Sequence, residues 1–267
     1  MKSDLFAIRS LLFLPASNPR AIAKARASAA DLVILDLEDA VKPEDKGDAR
    51  SAAVEAVAGN WPMPVAIRVN SIGSEWHSAD VDSVSRSGAA FAVLPRAASA
   101  HLLRGVRDAV GKPVLAMIET AAGVLVAAQI AAEAAALIAG TNDLAADLRL
   151  PPDAGRGPLQ VALQTIVLAG RASAIPVFDG VFNRLDDLDG FAAQCRNGRS
   201  LGFDGKSLIH PTQIESCNLA FLPSDQEIDR ARRLVEAYGG GAERFEGAMI
   251  ERMHIAAAQR LIERARG

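Results

Sequence analysis

The chain is poor in cysteine and in aromatic residues. Cys195 and Cys217 are its only thiols, 22 positions apart and outside any CxxC pair or zinc-ligand spacing, so neither a disulfide framework nor a thiolate metal site is expected. Two such thiols fit a reducing compartment, and the cytoplasm is the expected location. Strong charge is missing as well: the net formal charge is −3 over 267 residues, and there is no basic stripe with interleaved aromatics. A nucleic-acid binder carries that footprint, and the class is set aside.

Long apolar runs are scarce. The amino-terminal stretch is interrupted by Asp4 and Arg9, and its apolar run Leu11 to Leu14 is short; it reads as a first buried strand, not a leader peptide. The stretch from Ala121 to Gly140 is long enough to suggest a membrane span, but Gly123, Gln129 and Glu133 break it. A helix leading into a strand accounts for it, and no membrane partner is expected.

Half the residues are hydrophobic and 23% are charged, a balance that permits one large core. Short β-rich runs recur every 20 to 40 residues or so, each followed by an Ala-rich helical stretch, as repeated βα units require. There are eight: Ile8 to Leu14, Leu32 to Leu35, Val65 to Val69, Phe91 to Leu94, Val114 to Ile118, Leu137 to Ala139, Val177 to Phe178 and Ser207 to Ile209. Most are continuously apolar, as strands buried on both faces must be. The expected fold class is therefore α/β, a (β/α)8 TIM barrel over residues 1–222. A C-terminal helical extension over residues 223–267 is expected to dock elsewhere, for instance on a neighbouring subunit. Ser224-Asp225-Gln226-Glu227 forms a capping box that starts a helix ending near Tyr238. Gly239-Gly240-Gly241 reads as a hinge, and a last amphipathic helix is expected from Met253 to Ala265.

Barrel enzymes of this type place their chemistry at the carboxyl ends of the strands. That rule selects Asp36, Glu38 and Asp39 after the second run, Arg68 and Asn70 after the third, Arg96 after the fourth and Glu119 after the fifth. Asn142 and Asp143 follow the sixth, Asp179 the seventh and His210 the eighth. Mg²⁺ takes oxygen ligands and commonly only one or two protein carboxylates; Glu119 and Asp143, on neighbouring strand ends, suit it. Such a site chelates a 2-oxo or 2-hydroxy acid, with Arg68 available to hold a carboxylate in a bidentate fork or to bridge barrel carboxylates such as Glu38. Asp36, Glu38 and Asp39 read chiefly as groups that position Arg68 or bound waters. His210, before Pro211, reads as a structural cap.

Six ordered segments add to this reading. They are Arg9-Ser10-Leu11-Leu12-Phe13-Leu14-Pro15-Ala16-Ser17, Val33-Ile34-Leu35-Asp36-Leu37-Glu38-Asp39-Ala40-Val41, Ile67-Arg68-Val69-Asn70, Ile118-Glu119-Thr120-Ala121, Gly140-Thr141-Asn142-Asp143-Leu144, and Gly202-Phe203-Asp204-Gly205-Lys206-Ser207-Leu208-Ile209-His210-Pro211. Over nearly its whole length the chain resembles the citrate lyase β-subunit-like acyl-CoA lyases of the HpcH/HpaI aldolase superfamily, which include malyl-CoA and citramalyl-CoA lyases. The resemblance implies Mg²⁺ held by Glu119 and Asp143, with Arg68 and Glu119 at the substrate. It also implies Phe13 and Asp36 in the substrate pocket, Glu38 and Asp39 as acidic groups beside the reaction, and a homotrimer or hexamer. The implied reaction splits a 3-hydroxyacyl-CoA of the citramalyl, malyl or citryl type into an oxo acid and an acyl-CoA. In the family a C-terminal aspartate carries the proton from an adjacent subunit; in Gly247-Ala248-Met249-Ile250-Glu251-Arg252 the matching residue is Glu251. Ala16 and Arg96 also depart from the family's usual Gly and Lys. The alternatives are a thioesterase of malyl-CoA or citramalyl-CoA, an aldolase of free 2-oxo acids, and a lyase subunit that needs partner chains.

Overall fold

The computed structural model describes residues 5–265. Asp4, one of the two charges that interrupt the amino-terminal stretch, lies outside them; the other, Arg9, pairs with Asp31 at 3.0 Å. Eight parallel strands close into a barrel in chain order. They are β1 (Ser10–Pro15), β2 (Leu32–Asp36), β3 (Val65–Arg68), β4 (Phe91–Leu94), β5 (Val114–Ile118), β6 (Ala136–Ala139), β7 (Val177–Asp179) and β8 (Gly205–Leu208). β8 pairs back onto β1 through Ser10↔Lys206 and Leu12↔Leu208. Each expected run coincides with a strand to within two residues at either end.

Strand side chains alternate between two faces, and this alternation builds two cores. Leu11, Leu32, Ile34, Phe91, Leu115, Met117, Ile138 and Phe178 plug the barrel interior. The other set, including Leu12, Val33, Leu35, Ile67, Leu94, Ile118 and Leu137, packs outward against the helices. With the interior sealed by apolar side chains, the inward positions at the carboxyl ends are left to polar residues, and these form the mouth.

Between β5 and β6 the chain forms two short helices, Ala121–Leu125 and Ala127–Ala131, where one was expected. Thr120 caps the first by accepting from the Gly123 N–H at 3.0 Å. The break falls at Val126, a β-branched residue that leaves helical geometry with φ −115° and ψ 15°. Gly123 cannot be replaced here, because a Cβ would meet the Ala97 carbonyl oxygen at 2.5 Å.

Beyond the barrel, Ser224 and Glu227 make the expected capping box. The Ser224 hydroxyl accepts from the Glu227 N–H at 3.3 Å, and the Glu227 carboxylate accepts from the Ser224 N–H at 2.7 Å. The helix Asp225–Ala237 follows, with Tyr238 at its end. The Gly-rich segment then leads into an unexpected hairpin, β9 (Glu243–Phe245) and β10 (Ala248–Ile250). The last helix is Arg252–Arg264. Ala231, Leu234, Ile250, Ile255 and Ala258 give this C-terminal unit a small core of its own. Two ion pairs fasten it to the barrel: Arg199 to Glu227 at 2.8 Å and Arg264 to Asp204 at 3.3 Å. Among the described residues no helix is long and apolar enough to cross a membrane.

Candidate active site

A cavity of about 420 Å³ opens at the carboxyl ends of the strands. Asp36, Asp39, Arg68, Glu119, Asn142, Asp143 and Phe13 line it, so the strand-end rule brings most of the candidate residues together. Glu38 sits just behind, in charge contact with Arg68. Asp179 does not join them. Its carboxylate turns outward into the layer between strands and helices, where Lys206 lies 3.0 Å and Arg156 2.7 Å away. The length of β7 explains the difference, since Asp179 belongs to the strand and Phe178 takes the inward face. His210 is exposed, with Nδ1 2.8 Å from the Thr212 hydroxyl, at the cap of the turn Pro211–Gln213.

Arg68 is the most constrained group. Its Nε and Nη2 donate to the two oxygens of Asp36 at 2.7 and 2.6 Å, a bidentate pair between neighbouring strands in register. Nη1 lies 2.7 Å from Glu38 Oε2 and 3.9 Å from Asp39 Oδ2. The Glu38 contact is a charge contact off the N–H axis, because Oε2 makes no directed hydrogen bond. The guanidinium carbon lies 5.5 Å from the centre of the Phe13 ring. Burial opposes the charge on Arg68, but Asp36 and Glu38 outweigh it and hold the group above its ordinary value. Burial pushes the Glu38 carboxyl up to about 8, against the pull of Arg68 and with help from Asp39, Glu119 and Asp36. The cluster is thus a buried cation clamped chiefly by Asp36, beside a Glu38 carboxyl whose charged form burial disfavours.

Behind this cluster, Lys46 Nζ donates to the Leu37 and Glu38 carbonyls and to Asn70 Oδ1, at 2.8, 2.7 and 2.6 Å. It fixes the backbone from which Glu38 and Asp39 project. Spacing gave no hint of Lys46; its signal is its burial, and burial lowers its pKa.

Glu119 forms the opposite pole. Its Oε1 accepts from the Arg96 N–H at 2.6 Å. Arg96 adopts φ 49°, a left-handed conformation uncommon for a side chain of this size, and the strain is held next to the cavity. Glu119 Oε2 is buried without a partner. Leaving such an atom unsatisfied costs about 1–3 kcal/mol, more for a charged group. Burial pushes the Glu119 carboxyl up to about 7, with the Arg96 N–H bond opposing and Asp143 adding to the rise. Gly140 makes room for it, since a Cβ there would lie 2.3 Å from Oε2. Asp143 stands in the same cavity, 3.8 Å from Arg96 Nη1. Asp147 is used elsewhere, accepting from the Ala121 N–H at 2.7 Å.

This donor set fits a hard divalent cation. A cation would satisfy the free Glu119 oxygen and favour its ionised form. Among the described residues no three His, Cys, Asp or Glu groups converge on a metal position. Two carboxylates are what Mg²⁺ uses when it keeps water and substrate oxygens.

Glu251 is not among the residues that line the cavity. It is part-exposed at the head of the last helix, its N–H donating to His254 Nδ1 at 2.9 Å. Met249 and Met253, on either side of it, are 67% and 64% exposed.

Fold and mouth together define a (β/α)8 barrel whose strand ends gather carboxylates and one clamped arginine. The chain belongs to the HpcH/HpaI aldolase/citrate lyase family, whose model matches residues 9–211. It is 40% identical to a (3S)-malyl-CoA thioesterase of Cereibacter sphaeroides, over 96% of this chain and 94% of that one. It is 32% identical to the citrate lyase subunit beta of Escherichia coli, covering 96% and 93% of the two chains. Among solved structures it matches the protein CitE of Mycobacterium tuberculosis, in complex with magnesium, acetoacetate and coenzyme A. That match has a TM-score of 0.88 and 32% identity and covers 98% of this chain and 100% of that one.

Proposed function

We propose that this protein is a Mg²⁺-dependent carbon–carbon lyase that cleaves a 3-hydroxyacyl-CoA of the malyl or citramalyl type into an oxo acid and an acyl-CoA. The observation that carries the reading is the unpartnered Glu119 oxygen in the same cavity as Asp143, facing the clamped Arg68. Glu119 and Asp143 would hold the ion. When bound, it supplies a Lewis acid that polarises the oxygens of the acid half of the substrate.

The chain's own residues do the rest. Arg68, fixed by Asp36, presents what remains of its fork to the substrate carboxylate, and Phe13 bounds the pocket beside it. Glu38 and Asp39 set the charge around Arg68. In the cleavage the substrate hydroxyl loses its proton, the electron pair of the carbon–carbon bond passes to the carbon next to the thioester, and that carbon is then protonated. Glu251 is proposed as the proton carrier, delivered from an adjacent subunit by the C-terminal unit (223–267) of a cytoplasmic homotrimer or hexamer. Its position outside its own chain's cavity and the exposed Met249 and Met253 beside it support delivery in trans.

Hydrolysis of the same thioester is the second reading, favoured by the 40% identity to malyl-CoA thioesterases. One experiment separates the two: purified protein with malyl-CoA or citramalyl-CoA, in Mg²⁺ or in EDTA, scored for oxo acid and for free CoA. Oxo acid with intact acyl-CoA, lost in EDTA, is the expected result. Free CoA with hydroxy acid replaces the lyase reading with the thioesterase, and neither product from protein alone points to a subunit that needs partner chains. A strictly monomeric active enzyme, seen by equilibrium mass measurement, would remove Glu251 from the mechanism.

A further inference from the structure

The cavity has two unlike walls. On one side stand Glu119 and Asp143; on the other stand Phe13, Leu14 and Pro15 of β1, Val181 after β7, and Ser207 and Ile209 at the end of β8, with Arg68 of β3 between the two, beside Phe13. In the closed strand order β1 lies diametrically opposite β5, which carries Glu119, and β8 is next to β1. The second wall is apolar except for Ser207. This residue is only 2% exposed, and its hydroxyl has no hydrogen-bond partner. Ser207 is an alternating strand residue with its side chain at the cavity, whereas its neighbour Lys206 turns outward to Asp179.

A buried hydroxyl with no partner is destabilising unless something in the cavity bonds to it. Of the substrate oxygens in the class proposed above, the hydroxyl belongs with the acid half at the cation, which leaves the free carboxylate and the thioester carbonyl for Ser207. The free carboxylate is a poor match for Ser207: it would lie against Val181 and Ile209 with one neutral hydroxyl for company, whereas the reading above gives it Arg68. The neutral carbonyl of a thioester, flanked by methylene groups, matches an apolar wall with a single donor.

We propose that Ser207 Oγ donates a hydrogen bond to the thioester carbonyl oxygen, so that the charged wall holds the acid half of the substrate and the β1/β8 wall holds the thioester half. The inference rests on the acyl-CoA reading but not on which bond breaks. Negative charge grows on that oxygen as an enolate when the carbon–carbon bond opens, and as a tetrahedral oxyanion when water adds to the thioester. Ser207 keeps its proton in both cases and stabilises the charge by the bond alone. The same wall disfavours a substrate with a second free carboxylate, such as a citryl thioester.

The test is Ser207→Ala in the full chain. Turnover of malyl-CoA or citramalyl-CoA should fall about 10²-fold, while Mg²⁺-dependent affinity for pyruvate or glyoxylate, measured by calorimetry, stays within about twofold. The melting temperature should not fall, because the hydroxyl has no protein partner to lose. In isotope-edited infrared spectra, the carbonyl band of acetyl-CoA labelled with ¹³C at the thioester carbon should move to lower frequency on the wild-type protein and not on the variant. Turnover within about threefold of wild type, or oxo-acid affinity falling in step with turnover, overturns the proposal. So does a carbonyl band that is the same on both proteins. A wild-type protein that neither turns over the thioesters nor binds oxo acids fails at the acyl-CoA reading itself, and this assignment falls with it. An active wild type with an indifferent Ser207→Ala sinks the assignment alone.

Discussion

Gly140 and Glu119 occupy one space: a Cβ on Gly140 would lie 2.3 Å from Glu119 Oε2 and 2.4 Å from its Cβ. The carboxylate reaches the cavity because the next strand end has no side chain there. Gly140→Ala should therefore displace Glu119 while leaving the barrel folded. A shift of roughly 1 Å in a reacting group costs about 10²-fold in rate, and a loss of that size is expected in turnover, with weaker Mg²⁺ binding by titration. Wild-type Mg²⁺ affinity in the variant would show that Glu119 is not a ligand.

Arg68→Lys keeps the charge and loses the fork. The bidentate bond to Asp36 cannot be remade by an ammonium group, and the carboxylate of Asp36 loses its fixed partner. Turnover should drop by about 10²-fold or more, with the change expressed in kcat as well as KM. Near-normal kinetics would show that planar, two-point geometry at Arg68 is unimportant.

Glu38 makes stability depend on pH. Its carboxyl is raised from an ordinary 4.5 to about 8 by burial, so between these values the folded protein binds more protons than the unfolded chain. The contribution is complete below about 4.5 and is lost as pH rises through about 8. Glu38→Gln, which mimics the protonated form, should flatten the fall in melting temperature across that window and be the more stable protein above it. Parallel curves for the two proteins would mean that Glu38 is ionised in the folded state.

Lys206 and Asp179 are both fully buried. Removing one partner of such a pair leaves an uncompensated charge, which typically costs about 3–5 kcal/mol. Lys206→Met should lose stability on that scale in chemical denaturation, with Arg156 beside Asp179 softening the loss. The pair faces the helices and not the cavity, so the folded fraction should keep near-normal turnover. A variant as stable as wild type would show that Arg156 alone neutralises Asp179.

The barrel was legible in the sequence because buried parallel strands are apolar on both faces, and eight such runs stand out between Ala-rich helices. The mouth was legible for the same reason: a polar residue directly after an apolar run has few other places to go. Asp179 shows the limit of that rule, since one residue more of strand turned it from the mouth to the helical layer. Ser207 shows the converse. It was counted as part of a strand, and only alternation along β8, fixed by its register with β1, puts its hydroxyl inside. The hairpin of β9 and β10 gave a weak signal, because its turn uses Glu246 and Gly247 at φ 47° and 83° where Asn-Gly or Asp-Gly would announce it. Lys46 was unreadable: nothing in its neighbourhood distinguishes a lysine that folds back under β2 and β3 from one in solvent.

Asp204 holds three parts of the chain with one carboxylate. It accepts from the Val177 N–H at the start of β7, from Arg171 at the end of a barrel helix, and from Arg264 in the last turn of the C-terminal helix. All of these lie on the underside of the barrel, away from the mouth. The C-terminal helix is thus bolted to the underside of the barrel at its far end, while Glu251 heads the other end, seated on the unit's own core through Ile250 and Ile255. If Glu251 serves a neighbouring subunit as proposed, loosening that bolt would leave a chain's own cavity intact and starve the one next door.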